Sequence, residues 1–366
     1  MKQKRLLEIL LSLIKIEALS QHEKPVADHI LDFLHALNLK PYFDKSSIQT
    51  GSDTGNLICK VGSGGDFMLL AHMDTAQPTV GVNPQILADR ITSDGTTVLG
   101  IDNRVGIAVI LYALEKVLLE KNVIKDFTVC FTTCEESTLA GSLNLEIADR
   151  IKKCFIFDSS LRPGAFIYSS CGAKKFTVTI KGLAAHSGLA PEKGINSIAI
   201  AACALSQIRQ GRIGDKTTVN IGTISGGSAV NVVPEKTLLT GEVRSAELGM
   251  VDEVIAGIKT IFLKESATRG ARLEFKDEWD FKPYNITPET EIYNDVLTVI
   301  GKVGLTPVPV ASLAGSDANS LNGRGIQAIN LGIGAQNPHA NDEFIFTADL
   351  IKVSEIALEL MKKQRS

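Results

Sequence analysis

Apolar positions fall along the chain in two textures. In the first, short apolar runs alternate with longer segments of helical spacing. GNLICKVG (55–62) and DFMLLAHMD (66–74) read as two strands joined by a glycine-rich turn, and DFTVCFTTCEE (126–136) and KKCFIFDSS (152–160) read as two more. Between them NRVGIAVILYALEKVLLE (103–120) is an apolar helix, and residues 21–37 carry a helical pattern behind a predicted capping box, Ser20 with Glu23. The opening MKQKRLLEILLSLIKIEALS is basic and then apolar, as a signal peptide would be. Lys15 and Glu17 interrupt it and no small-residue cleavage site comes after, so an amphipathic first helix is the better reading. Strand and helix in alternation predict an α/β domain with a mostly parallel central sheet flanked by helices.

The texture changes near residue 172. KKFTVTIKG, GINSIAIAACALSQIRQ, TTVNIGTISGG, TLLTGEVRS, a helix across 248–265 and ARLEFKDEWDFKPY make a βαββαβ-like α+β unit. After Tyr284 the first texture returns, with a helix near 288–303, a strand in IQAINLGIG and a final helix across 348–363. The expected organisation is one domain of residues 1–171 and 285–366, with a second, 172–284, inserted into it. The length, 366 residues, agrees with two cores rather than one.

Net charge is −3, which gives no reason to expect a nucleic acid or an anionic membrane as partner, and no apolar run reaches the ~18 residues of a membrane span. The six cysteines lie mostly inside apolar runs without CxxC spacing. They read as reduced, buried thiols of a cytoplasmic protein. VGSGGD (61–66) is glycine-rich but joins two strands and lacks the GK[ST] ending of a nucleotide loop.

The chemistry lies at strand ends, where a parallel sheet binds its ligands. His72 and Asp74 end one strand, Glu135 and Glu136 another, Asp158 a third. Asp102 sits at the entry to the apolar helix, and His339 comes after the late strand, in QNPHANDEF. Each has a bland alternative: a core histidine, a helix cap at Asp102, solvated glutamates, a turn at Asp158, a loop histidine. Their coincidence on one edge favours a single site. Histidine nitrogen with carboxylate oxygen and no thiolate suits zinc, manganese or cobalt. The acids suffice for two divalent ions sharing one carboxylate, and Asp74, two residues past His72, can fix that ring's tautomer.

AHMDT, DGTTVLGIDNRVGIA, TTCEE, IFDSS, GLAAHSG, GGSAVNVVPEKTLLTGEVRS and the late His339, in that order over nearly the whole chain, resemble the dinuclear-zinc peptidase family of peptidase T, carboxypeptidase G and aminoacylase-1. DGTTVLGIDN looks like the peptidase T branch, the tripeptide aminopeptidases. The resemblance implies Asp102 as bridging ligand, His72 and Asp158 as the other ligands of one metal, and Glu136 with His339 as those of the other. It implies Glu135 as general base, Asp74 as the residue that orients His72, and a cis peptide bond after Asp102. Asn103 stands where many relatives carry a second aspartate. The inserted domain would be a lid and dimerisation domain, making a homodimer, with His186, Asn231 and Arg244 as substrate contacts. A turn histidine before a helix and a strand-edge ion pair are the alternatives for His186 and Arg244. The implied activity is aminopeptidase action on short peptides. A carboxypeptidase or an N-acyl-amino-acid deacylase on the same metals stays open, as does a catalytically silent scaffold.

Overall fold

The computed structural model describes residues 2–120 and 124–363. Two compact units divide the chain: Met1–Ser169 with Asn285–Ala311 and Ser316–Ser366, and Ser170–Tyr284 with Ser312–Gly315. Residues 1, 121–123 and 364–366, which the expected first domain includes, lie outside the described residues.

The principal sheet is mixed. Its centre is four parallel strands in the order Phe127–Thr132, Phe67–His72, Lys153–Ser159 and Gln327–Gly332. Leu57–Val61 joins antiparallel on one side and Ala165–Ser170 on the other. The consecutive strands Leu57–Val61 and Phe67–His72 are not neighbours, because Phe127–Thr132 lies between them. Every residue of Phe67–His72 and of Phe127–Thr132 is buried, which is why these strands are written as apolar runs and not as an alternation.

Helix Ile101–Leu119 packs on the strands Phe67–His72 and Lys153–Ser159, and is itself covered by helices Lys2–Ile14 and Thr347–Met361. It is buried nearly all round, so its sequence carries little amphipathic pattern. Gly106 lets it approach the sheet: a Cβ there would stand 2.2 Å from the Phe157 carbonyl oxygen. The first helix is amphipathic, with Leu6, Ile9, Leu10 and Leu13 inside.

The predicted capping box does not form. Helix Lys24–Ala36 begins after Glu23 with no side-chain cap. The Ser20 hydroxyl donates instead to Asp74 (2.6 Å), and the Glu23 carboxylate accepts from the Ser52 hydroxyl (2.5 Å) and the Cys134 N–H (2.8 Å). Both side chains are committed to distant partners, which a local motif cannot register.

In the second unit five strands form a sheet in the order Gly211–Gly214, Thr217–Gly226, Lys236–Ser245, Gly172–Lys181 and Arg272–Phe281, paired antiparallel throughout. The sequence pattern misses the short Gly211–Gly214 strand and the 3-10 turn Pro191–Lys193 of this unit. Phe176, Val178 and Ile180 alternate onto one face, where Ile200 and Ala204 of helix Ser197–Leu205 and Val251, Ile255, Ile258 and Phe262 of helix Leu248–Thr268 cover them. The other face stays wetter, so the period of two survives in the sequence.

All six cysteines are free thiols, five buried and Cys203 half-buried. Among the described residues no helix is long and apolar enough to cross a membrane.

Candidate metal and catalytic site

Parallel register brings the strand ends level. His72 is the last residue of its strand and pairs with Thr132 at the end of the next, and Asp158 lies at the end of Lys153–Ser159. The chain then leaves Thr132 through Cys134, whose positive φ of 53° turns it into the short helix Glu135–Thr138. Asp102 sits at the amino end of Ile101–Leu119 with non-helical dihedrals, as does Asn103, and the peptide bond between them is cis, as the resemblance implies. His339 comes from the loop after the Ala335–Gln336 strand.

Two clusters of potential metal ligands result: His72, Asp102 and Asp158, and Asp102, Glu136 and His339. His72 Nε2 lies 3.2 Å from Asp102 Oδ1 and 3.1 Å from Asp158 Oδ1. His339 Nε2 lies 3.4 Å from Asp102 Oδ2 and 3.0 Å from Glu136 Oε1. The two oxygens of Asp102 thus point one to each cluster. Glu136 Oε1 is buried and faces His339 Nε2. Each cluster gathers one imidazole nitrogen and two carboxylate oxygens with no intrinsic donor among them unless the ring is protonated. A divalent cation fits such a donor set, and the absence of thiolate suits zinc, manganese or cobalt.

Asp74 braces this arrangement. His72 Nδ1 lies 3.1 Å from the Asp74 carbonyl oxygen and 3.3 Å from its Oδ1, so Nδ1 carries a ring proton and Nε2 is the nitrogen that faces the acids. The same carboxylate accepts from the backbone N–H groups of Glu135 and Glu136, both at 3.1 Å. Burial would raise the Asp74 pKa, but the hydrogen bond and charge of His72, with the Ser20 hydroxyl and the Glu135 N–H, together outweigh it and the net shift is downward.

The electrostatics are those of crowded acids. Burial, then the Asp158 charge, pushes Glu135 well above the ordinary range, and burial also raises Glu136. Hydrogen bonds to Asp102 and Glu136 push His339 up to about 10. Burial would lower His72, yet its bonds to Asp102, Asp158 and Asp74 hold it well above its ordinary value.

Several supporting residues escaped the sequence reading. Asn330 donates to Asp158 Oδ2 at 3.0 Å and accepts from the Ser159 N–H at 2.8 Å. Arg104, 1% exposed, donates to the carbonyls of Met73 and Ile16. Asp317 is buried behind the strand ends, accepts from the Thr132 hydroxyl at 2.6 Å, and is pushed by burial up to about 6. The signal for Asn330 and Arg104 was one polar residue inside an apolar run. Asp317 begins a helix and carried no such contrast.

The substrate contacts implied by the resemblance lie in the second unit. His186 is exposed in a turn, and its Nδ1 accepts from the N–H groups of Gly188 (3.1 Å) and Leu189 (3.3 Å). Asn231 is exposed beside it, its carbonyl accepting from the Ser187 N–H at 3.0 Å. Arg244 makes a two-pronged pair with Glu242, Nε to Oε1 at 2.9 Å and Nη2 to Oε2 at 3.2 Å, on an interior strand and not an edge. A cavity of about 410 Å³ bounded by Phe67, Lys125, Lys153 and Glu291 sits at the opposite, amino ends of the parallel strands and involves none of these residues.

A family model for the M20 peptidase dimerisation domain matches residues 168–269. YqjE of Bacillus subtilis (strain 168), an uncharacterized protein, is 31% identical over 99% of this chain and 98% of its own length. Peptidase T of Geobacillus kaustophilus is 26% identical over 80% of each chain. Among solved structures, aminopeptidase PepT from Bacillus cereus superposes with a TM-score of 0.90 at 29% identity, and a tripeptidase from Staphylococcus aureus with 0.92 at 26%, each covering 98% of both chains. The chain belongs to the M20 family of peptidases. Within that family it is peptidase T-like.

Proposed function

We propose that this protein is a dinuclear zinc aminopeptidase acting on short peptides, tripeptides above all. The observation that carries the reading is the shared carboxylate: Asp102 offers one oxygen to His72 and Asp158 and the other to Glu136 and His339. His72, Asp102 and Asp158 would hold one metal, and Asp102, Glu136 and His339 the other. When bound, a pair of divalent cations supplies Lewis-acid polarisation of the scissile carbonyl and makes an adjacent water more acidic. Zinc is our assignment on the donor set, with manganese or cobalt as the other metals that it suits.

Glu135 is the general base. Its carboxylate takes a proton from the attacking water and delivers it to the leaving amine nitrogen. A raised pKa suits a group that must both accept and release a proton near neutrality. Glu136 is occupied as a ligand and cannot share this role. Asp74 keeps His72 in the tautomer that presents Nε2 and fixes the backbone of both glutamates.

The inserted unit, 172–284, is assigned as the lid and dimerisation domain, with His186, Asn231 and Arg244 as its substrate contacts. His186 Nδ1 accepts two backbone N–H groups, which leaves an Nε2–H free to donate to a carbonyl or oxyanion oxygen. Arg244 would have to share its guanidinium with Glu242. A homodimer is proposed through the edge strand Thr217–Gly226. The short Gly211–Gly214 strand pairs only with Thr217–Val219, and beyond it the Gln210 side chain meets the strand at the Ile221 N–H (3.3 Å), so most of Asn220–Gly226 has no strand beside it on that side. Free thiols throughout agree with a cytoplasmic setting.

The test uses zinc-loaded protein with a free tripeptide and the same tripeptide acetylated at its N-terminus. Release of the first residue from the free peptide alone is expected. Cleavage of the blocked peptide would replace this reading by a carboxypeptidase or an N-acyl-amino-acid deacylase on the same site. Failure to cut either one with two zinc ions bound would favour the silent scaffold.

A further inference from the structure

Glu343 lies four residues beyond His339 and is 1% exposed. Its carboxylate does not face the clusters. It faces the turn that starts the helix bearing Asp102. Gly100 N–H donates to Oε2 at 2.6 Å, and Asp102 N–H donates to Oε1 at a longer 3.4 Å. The first N–H groups of a helix have no partner within it, and a carboxylate set against them is held by charge-assisted hydrogen bonds and by the helix dipole. Here that cap comes from the other end of the chain. Gly100 makes it feasible: φ is +73°, and a Cβ would stand 2.9 Å from Thr79 Cγ2.

The backbone of Glu343 ties the other side. Its N–H donates to the Ala340 carbonyl at 3.0 Å, closing the loop that carries His339. Its carbonyl accepts from the Ser93 N–H and the Thr92 hydroxyl, both at 3.2 Å. Glu343 is therefore fixed to the Arg90–Thr92 hairpin strand and to the His339 loop while its side chain grips the Asp102 turn. His339 needs such a fixture. It sits in a loop with positive φ (66°), and its side chain is 45% exposed. The loop's other ties, Asn337 Nδ2–H to Asp342 Oδ2 (2.8 Å) and Asn341 Nδ2–H to the Thr96 carbonyl (3.4 Å), do not reach the Asp102 turn, whereas Glu343 does.

We propose that Glu343 is a positioning residue that sets the second cluster, Asp102–Glu136–His339, by locking the His339 loop to the backbone of Asp102. The first cluster has its own braces, Asp74 on His72 and Asn330 on Asp158, and depends on Glu343 much less. The assignment rests on the dinuclear reading above, and goes beyond it by separating the two sites through a residue that is not a ligand.

The experiment is a zinc titration of metal-stripped protein against a chromophoric chelator, wild type beside Glu343→Gln, with thermal melting of both metal-free proteins. Gln keeps the shape and one acceptor oxygen but loses the charge and the second acceptor. The expected result is a tight site within about threefold of wild type and a weak site loosened at least tenfold, at a similar melting temperature. Peptidase turnover should return as zinc is raised. Glu343→Asp, which restores both acceptors on a shorter arm, should recover part of the loss. Equal weakening of both sites together with a lowered melting temperature would reduce Glu343 to a structural residue and overturn the proposal, as would two unchanged sites. Wild-type protein that binds fewer than two zinc ions would overturn the dinuclear reading itself, and that result is seen before any variant is compared.

Discussion

Metal binding at this site should expel protons, and the affinity should therefore climb steeply with pH. In the metal-free protein His339 is pushed up to about 10 by Asp102 and Glu136, and His72 stands well above its ordinary value despite burial. His339 therefore carries a proton on both ring nitrogens at pH 7, and His72 is biased the same way. The nitrogen that faces the acids in each case, Nε2, is the one a cation would occupy, so its proton must leave. Each displaced proton makes the apparent affinity rise about tenfold per pH unit for as long as pH stays below the pKa of the metal-free ring. One histidine serves each cluster, so each of the two affinities should rise about tenfold per unit between pH 6 and 8, and their product about a hundredfold. Calorimetry in two buffers of different ionisation enthalpy would count the released protons directly, with competition against a chelator giving the slope. His339→Gln should abolish the proton release of one site and leave the other. Affinities that stay flat from pH 6 to 8, or heats that do not change with buffer, would refute the reasoning. The same shift fixes the sign for stability. A raised histidine stabilises the metal-free fold fully below its unfolded value near 6.5, and that contribution is lost as pH rises through about 10. Metal-free protein should thus melt at lower temperature at pH 9 than at pH 7, and zinc should erase the difference.

Glu135→Gln should leave zinc stoichiometry intact while lowering turnover by about two to four orders of magnitude, the usual worth of a general base; near-normal turnover with both ions bound would exclude Glu135 from that role. Arg104→Met removes the donor from the Met73 and Ile16 carbonyls, and at about 1–3 kcal/mol for each deserted acceptor the loss should be about 2–6 kcal/mol by urea unfolding. Burial pushes the Arg104 guanidinium down to about 10 against the charges of Asp74, Glu23 and Glu343, and an unchanged unfolding midpoint would contradict a stabilising role for its hydrogen bonds.

What the sequence made legible was whatever a single run of residues could encode. Strands Phe67–His72 and Lys153–Ser159 are apolar to within a residue or two of their ends, and the polar residue that closes each apolar run stands at the sheet edge. That contrast marks His72, Asp158 and the Glu135–Glu136 pair, whereas Asp102 stands at a helix entry and His339 in a loop, and the division into ligands and base comes from the family resemblance; neighbours among the five implied ligands stand 3.0–3.4 Å apart. Strand order was not legible. The turn at 61–66 suggests that its two strands belong side by side, and nothing local says that Phe127–Thr132 comes between them. Short elements such as Gly211–Gly214 and Ala335–Gln336 are too brief to show a period.

The braces were hidden for a different reason. Ser20 and Glu23 have the spacing of a helix cap, yet they serve Asp74 and Cys134. Asp74, Glu23 and Glu343 all do one job, a buried carboxylate holding peptide N–H groups of a segment that carries or borders a proposed ligand. Its hold on backbone leaves no trace in sequence: Asp74 stood out only for its place beside His72, and Glu343 did not stand out at all. It does leave a trace in the electrostatics. Asp102, Glu135, Glu136 and Asp158 are packed with these three and with Asp317, while Arg104 alone among them is a permanent cation. Burial raises Glu23, Glu135, Glu136, Asp317 and Glu343 together, the last up to about 7, as expected where negative charge exceeds what the polypeptide can neutralise. A pair of divalent cations offsets such an excess. The braces and the ligands are then one design, since the acids that fix the backbone also deepen the negative potential into which the metals would bind.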